Sequence, residues 1–262
     1  MTLMIPYVSR LAIFPIKALD GLTVERAMLL ESGALQGDRE FAIFDEADRF
    51  VNGKHNPHVH SLRAHYDLSA GIVSLHKQGT DSATSFHLTN ERNALETWLS
   101  QYFGFPVQVR QNLTMGFPDD TDSSGPTLVS TATLEAIASW YPELTVEEIR
   151  RRFRTNIEIS GVPAFWEDRL FSTPDSPVTF QIGDATFMGV NPSQRCVVIT
   201  RDSQTGDAYP NFQKTFVAHR RETLPSWSER SQFNHFYRLA VNTRVPPSEA
   251  GTVIKVGDPV RL

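Results

Sequence analysis

Cysteine is nearly absent: the 262-residue chain holds one, Cys196. A single thiol cannot close an intrachain disulfide, so this is no disulfide-stapled secreted scaffold. Nor can it build a cysteine-rich zinc site, or ligate an iron–sulfur cluster by cysteine alone. A reducing, cytoplasmic location is the expectation. Excess positive charge is missing too. With 25 basic and 30 acidic side chains the net charge is −5, which gives no electrostatic footprint for nucleic acid. No apolar run nears the ~18–20 residues of a membrane span, and the first residues show no charged segment leading into an apolar one. The glycine-rich phosphate loop, the dinucleotide fingerprint and the nucleophile elbow are all absent, which argues against nucleotide hydrolysis, a Rossmann oxidoreductase and an α/β-hydrolase.

What is present, at 40% hydrophobic and 21% charged, is an ordinary globular composition. Short strands dominate the first half. Tyr7 to Phe14 reads as a strand stopped at Pro15, which cannot donate to a ladder. Glu40 to Asp45 with Phe50-Val51 reads as a hairpin, and Tyr66 to Leu75 as another turning at Ala70-Gly71. Leu95, Trp98, Leu99, Tyr102 and Phe103 share one helical face, with Thr89 or Asn90 as cap and Gly104 and Pro106 as stop. Gln111 to Pro126 is polar and punctuated, the best linker or surface loop. Beyond it, Ser130 or Thr131 caps a helix through Leu134 and Ile137. Thr145 and Glu148 have capping-box spacing for a second, with Ile149 and Phe153 inward. Strands return at Ile157–Ile159, Val178–Ile182, Cys196–Thr200 and Val253–Val260. The reading is β-rich α+β, divided into 1–115 and 116–262.

Chemistry-bearing residues are scattered. Cys196 stands where a polar, proline-containing loop runs into Val197-Val198-Ile199-Thr200. Adjacent Arg195 favours the thiolate, the form that is nucleophile and soft metal ligand; a buried structural cysteine is the other reading. Arg150, Arg151, Arg152 and Arg154 exceed what a helix C-terminus needs, so an anion site stands beside a solvated helix end. Lys17 and Arg39 are single cations beside turns, and Ser130-Thr131 offers a helix-start anion cradle or plain capping. His55, His58, His60 and His65 crowd around Pro57 without matching a metal-ligand motif.

Taken in order, Pro15-Ile16-Lys17, Gly37-Asp38-Arg39, Arg152-Phe153-Arg154-Thr155-Asn156-Ile157, Arg195-Cys196 and Ile254-Lys255-Val256-Gly257-Asp258-Pro259-Val260 resemble the MOSC family. The closer resemblance is to members with an N-terminal β-barrel domain before a MOSC barrel domain, such as the mitochondrial amidoxime-reducing component and its bacterial relatives. The resemblance implies a molybdenum cofactor, in molybdopterin or nucleotide form, with Cys196 as the catalytic protein ligand of molybdenum. It implies that Lys17, Arg39, Ser130, Thr131, Arg154 and Asn156 grip the pterin and its phosphate, joined by Ser193 and Arg195. The implied reaction reduces N-hydroxylated substrates (amidoximes, hydroxylamines, N-hydroxylated bases) by oxygen-atom transfer at molybdenum. Electrons then come from a separate cytochrome, ferredoxin or flavodoxin-like protein with its reductase. Two further functions stand beside this one: a sulfur carrier using a Cys196 persulfide, and a protein that stores the cofactor. No nucleic-acid partner and no membrane segment are expected.

Overall fold

The computed structural model describes residues 5–262. The first four residues of the division drawn at 1–115 lie outside the described residues. The first half supplies β1 (Tyr7–Ile13), β2 (Leu22–Val24), β3 (Arg26–Met28), β4 (Phe41–Asp45), β5 (Leu62–Asp67), β6 (Ile72–Lys77), β7 (Thr84–His87), α1 (Arg92–Phe103) and β8 (Val107–Gln111). The second begins with β9 (Leu128–Ser130), α2 (Thr131–Ser139), α3 (Val146–Phe153) and β10 (Ile157–Ser160). It continues through β11 (Val178–Ile182), β12 (Ala185–Gln194), α4 (Phe212–Glu222), β13 (Arg238–Arg244), β14 (Val253–Lys255) and β15 (Val260–Arg261). The architecture is β-rich α+β, and none of the sheets closes on itself among the described residues.

The largest sheet has eight strands in the order β15-β11-β12-β13-β9-β10-β1-β2. Its β1 comes from the start of the chain yet pairs antiparallel with β10, Leu11 opposite Ile157. Likewise β3 pairs with β14, Ala27 opposite Ile254. Val8, Leu11, Ile13, Ala27 and Leu29 are therefore packed in one core with Ile157, Phe180, Phe187 and Val241. Ile16, Phe41, Leu62, Val73, Leu99 and Val109 form a separate core, under α1 and the β5-β6-β7 and β4-β8 sheets. The physical partition is thus not sequential. The first strands belong with the second half, and the crossover from β1 into the first-half core brings Pro15–Lys17 to the junction. A third core joins α2, α3 and α4 through Leu134, Ile137, Phe153, Phe212 and Phe216.

Local reading and structure part company at a few places. Cys196–Thr200 is not a strand: Val197–Thr200 is a 3-10 turn with Cys196 at its N-cap. Its β-branched side chains favour extended backbone locally, but pairing with β13 ends at Gln194 and only Ile199 of the turn is buried. Phe50-Val51 does fold back on β4, through the Phe44–Phe50 bridge and the Val51 N–H donating to the Ile43 carbonyl at 2.8 Å, but the partner along the full length of β4 is β8. Glu91, not Thr89 or Asn90, occupies the N-cap of α1 and makes no capping bond with its side chain. Its carboxylate instead accepts the His87 N–H at 2.7 Å. Thr145 does cap α3 by accepting from the Glu148 N–H, but the Glu148 carboxylate turns to Arg151, Arg152 and Ser203.

A polar cluster sits inside the second half. Glu167 is 1% exposed, and one carboxylate oxygen accepts from the Thr133 hydroxyl at 3.0 Å while the other has no partner. Burial, with the neighbouring Asp168 charge adding, pushes the Glu167 carboxyl up to about 7. A raised folded-state value means the folded chain holds its proton where the unfolded chain has lost it. Stability contributed by neutral Glu167 is full below the ordinary carboxyl range and is lost as pH rises to about 7. Unfolding midpoints should therefore show Glu167→Gln gaining on the native chain across that window, by up to about 1.4 kcal/mol per pH unit, and levelling above it. A pH-independent difference would contradict the assignment.

Candidate functional site

A cavity of about 870 Å³ lies where the first-half core meets the large sheet, lined from both halves of the chain. Lys17 enters it just after β1: Ile16 bridges to Phe41, and the Lys17 N–H donates to the Phe41 carbonyl at 2.7 Å. The residue is 9% exposed, and burial lowers its pKa against the opposing charge of Asp119. Its ammonium donates to Asp119 at 2.7 Å and to the Phe117 carbonyl at 2.8 Å. Arg39 follows Gly37 and Asp38 in a turn with φ of 49°. Asp38 accepts the Phe14 N–H at 2.8 Å and pairs with the Arg39 guanidinium, holding it over the Phe14 ring.

Arg154 reaches the same place from the end of α3. It occupies the left-handed cap position, φ 53°, where glycine is the usual residue because it has no Cβ to strain. A non-glycine here costs of order 1 kcal/mol. The turn sends the chain directly into β10 and lays the guanidinium 4.1 Å from the Phe14 ring centroid. The Arg154 side chain makes no ion pair among the described residues, and its Nη2 is buried without an acceptor. Burial, with Arg39's charge adding, pushes its pKa down to about 10. It remains a cation at neutral pH that feels the charges of Asp20 and Asp38 but pairs directly with neither. The rest of the arginine run is ion-paired, Arg150 on Glu158 and Arg151 and Arg152 on Glu148, although Nη1 of Arg152 is also buried without a partner.

Arg195 and Cys196 close the wall. Arg195 donates to the Phe153 carbonyl and, at 3.3 Å, to the Ser193 hydroxyl, lies over the Phe153 ring, and keeps a buried Nε without a partner. Cys196, half-buried and free, lines the cavity. The Tyr237 hydroxyl donates to its carbonyl at 3.4 Å, and the Arg195 N–H donates to the Tyr237 carbonyl at 3.1 Å. Backbone contacts with the segment entering β13 therefore fix the thiol-bearing turn.

Lys17, Arg39, Arg154, Ser193, Arg195 and Cys196 all line this one cavity. Asn156 also borders the cavity, but its amide donates to the Ala12 carbonyl at 3.1 Å and its oxygen accepts from Thr127, which makes it a bracket between β1 and the strand entries. Ser130 and Thr131 are placed elsewhere. Ser130 is fully buried capping α2, and the Thr131 hydroxyl bonds Ser9 and Ser160 across strands, so neither lines the cavity. The histidines separate: His65 stacks on His76 and His58 packs on Tyr102, while His60 alone is buried against the cavity. No group of three or more His, Cys, Asp or Glu among the described residues forms a metal centre. Arg63 and Arg201 also line the cavity, and sequence reasoning passed over both. Each is a lone cation in a polar stretch, with no local pattern to mark it.

Comparison with known proteins gives this geometry its family. Residues 5–106 match the MOSC N-terminal beta barrel domain and residues 123–261 the MOSC domain. A molybdenum cofactor sulfurase of Drosophila grimshawi is 26% identical over 244 residues, which are 81% of this chain. The chain spans only 30% of that relative's length. Among solved structures, a hypothetical protein aligns with TM-score 0.41 at 10% identity, over 99% of this chain and 67% of the other. The YUAD protein of Bacillus subtilis aligns with TM-score 0.38 at 11% identity, over 98% and 94% of the two chains. Both are loose likenesses. Two domain matches spanning nearly the whole chain place it in the MOSC family, as a MOSC domain preceded by the family's N-terminal β-barrel domain.

Proposed function

We propose that this protein is a molybdenum-cofactor oxidoreductase that reduces N-hydroxylated compounds. One observation carries the reading. The chain's single thiol shares a cavity with Arg154 and Arg195, each of which keeps a buried guanidinium nitrogen without an acceptor. A buried unsatisfied donor costs roughly 1–3 kcal/mol, more when charged, so the arrangement suits an oxyanion ligand. It sits beside a soft sulfur donor, and a phosphate-bearing molybdenum cofactor combines the two demands. When bound, that cofactor would supply two-electron chemistry that removes an oxygen atom from the substrate nitrogen.

The chain's own residues do the rest. Arg154, Arg195, Arg39 and Lys17 would hold the phosphate and pterin, with the Ser193 hydroxyl available beside Arg195. Cys196 would hold molybdenum through its thiolate. Phe14 and Phe153, lying under three of the guanidiniums, keep those cations oriented and shield them from water. The molecule binds and orients, while the redox chemistry belongs to the cofactor. One cysteine leaves no cysteine-ligated cluster within the chain, so a separate electron carrier is part of the proposal. A cytoplasmic location is also proposed. No helix among the described residues is long and apolar enough to cross a membrane.

The test is the molybdenum and pterin content of protein made in a cofactor-competent host, then reduction of benzamidoxime with reduced methyl viologen. Stoichiometric molybdenum with amidine formation is expected. Protein that binds no molybdenum would end this reading. Arg154→Ala should lower molybdenum and pterin occupancy about tenfold at limiting cofactor, since a charge-assisted bond contributes roughly 1.5–3 kcal/mol. Unchanged occupancy would show that the grip lies elsewhere.

The similarity to a molybdenum cofactor sulfurase favours a second reading, in which Cys196 carries sulfur as a persulfide. It requires a one-sulfur mass increase at Cys196 in protein treated with a persulfide donor, and turnover that needs no molybdenum.

A further inference from the structure

The cation-lined cavity has a second side. His60 and Arg63 border it from the first half of the chain and Arg201 from the end of the turn that Cys196 begins, and His60 feels the charges of Arg201, Arg63 and Arg154 together. Arg154 thus stands between the set already assigned to the cofactor and this one. His60 is 7% exposed, and its Nε2 bonds the Gly53 carbonyl at 3.3 Å. Since a carbonyl only accepts, Nε2 carries the proton in that bond and Nδ1 is the remaining acceptor or second donor.

The two arginines come from different halves and meet through one hairpin. Arg63, on β5, pairs with Asp20 at 3.2 Å and donates to the carbonyls of His60 and Ser203. Arg201 opens the hairpin that carries Ser203, donates to the Gly206 carbonyl at 3.0 Å, and has no carboxylate partner among the described residues. In both, Nε is buried and unpartnered. Gly206 lies flat on His60, where an added Cβ would come within 3.2 Å of the His60 Cβ. The hairpin is therefore seated on the first-half core, and the guanidiniums are held rather than free to seek solvent.

Two buried donors without acceptors, on two seated arginines from opposite sides of a junction, are the same signal that marks Arg154 and Arg195. We propose that His60, Arg63 and Arg201 form a second oxyanion position in the cavity, and that the N-hydroxylated substrate carries a carboxylate or phosphate that binds there. The substrate assignment rests on the reductase reading, whereas the anion position does not. An 870 Å³ cavity is at the upper end of small-molecule sites, large enough for a cofactor and a substrate together.

Two measurements separate those claims. In the first, inorganic phosphate is titrated into the cofactor-free chain and followed by calorimetry, with Arg201→Gln and Arg154→Gln alongside. Two positions are expected in the native chain, with Arg201→Gln losing one and Arg154→Gln chiefly weakening the other. A single position, or two that survive Arg201→Gln, would overturn the anion site whatever the enzyme's reaction. In the second, cofactor-loaded protein reduces benzamidoxime and its 4-carboxy derivative with reduced methyl viologen. The native chain should prefer the carboxylated substrate in kcat/KM, and Arg201→Gln should lower that preference about tenfold, the size of one lost charge-assisted bond. Arg201→Lys, which restores charge without the fork, should recover part of it. No preference in the native chain would overturn the substrate assignment. So would Arg201→Gln protein that arrives depleted of pterin, since the position would then serve the cofactor's own anionic end.

Discussion

Cys196→Ser is expected to lower amidoxime turnover by about a hundredfold or more, equivalent to roughly 3 kcal/mol of lost transition-state stabilisation, while leaving the fold intact. A serine hydroxyl is hard and stays protonated, so it cannot replace a soft thiolate as a molybdenum donor. The structural cost should be small. Cys196 is half-buried at the head of a 3-10 turn, and the contacts that hold the turn run through its backbone and that of Arg195. A change of this kind normally shifts stability by less than about 0.5–1 kcal/mol. Turnover, molybdenum per chain and the thermal midpoint should be read on the same preparation. Serine protein that turns over at the native rate would remove Cys196 from the chemistry. A collapsed midpoint would return it to the structural reading.

The second large effect concerns stability, and it lies away from the cavity. Asp168→Ala is expected to lower the unfolding free energy by about 3–5 kcal/mol, because it leaves a buried guanidinium without its counter-charge. Arg220 is fully buried, and its Nη2 donates to both oxygens of Asp168 at 2.8 and 2.6 Å. Ser228 adds a third bond to the same carboxylate at 2.6 Å. The pair joins α4 to the turn at Trp166–Leu170 and to the segment before β13. Arg220's other nitrogens have no acceptors, and its charge lies between the rings of Phe165 and Phe233 at 4.5 and 5.0 Å. Cation–π attraction offsets only part of the desolvation cost. The double change Asp168→Leu with Arg220→Met should therefore recover most of what the single change loses, since it removes both charges. Urea midpoints of the two singles and the double decide this. Additive losses would mean the two side chains act independently.

Secondary structure was legible where a local rule suffices. α1 shows its buried face as Leu95, Leu99 and Phe103 at helical spacing, and its stop as Gly104 in the left-handed region. The hairpin of β5 and β6 shows its turn at Ala70-Gly71. α4 escaped notice although Phe212, Phe216 and Arg220 recur every fourth residue. An arginine in the buried position disguises an apolar stripe. β12 escaped because the polar, proline-containing stretch before Cys196 reads as a loop; its Gly189 is required, since an added Cβ would lie 1.7 Å from the Leu170 carbonyl oxygen. The β-branched run after Cys196 misled in the opposite direction, since propensity toward a strand means little without a partner strand.

The candidate site divides along the same line. Composition and spacing brought out the lone thiol of Cys196 and the surplus of arginines at 150–154, whereas Lys17, Arg39, Arg154 and Arg195 were joined to it only through the resemblance to the MOSC family. Order along the chain carried the family assignment as well. Within the arginine run the resemblance had pointed to Arg154, and tertiary structure supplied the physical reason: Glu147, Glu148, Glu158 and Asp202 pair with the other three guanidiniums, whereas Arg154 lines the cavity with no ion pair among the described residues. Burial likewise separated His60 from its neighbours and moved Ser130 and Thr131 out of the site. The partition of the chain into cores was also undecidable locally, since β1 and β3 find their partners roughly 150 and 225 residues away, as the Leu11–Ile157 and Ala27–Ile254 pairs show. Sequence alone determined which chemical groups the protein possesses and the family to which it belongs. Tertiary structure decided which of those groups are left without partners in the cavity, because satisfaction of a charge depends on long-range neighbours that no local pattern encodes.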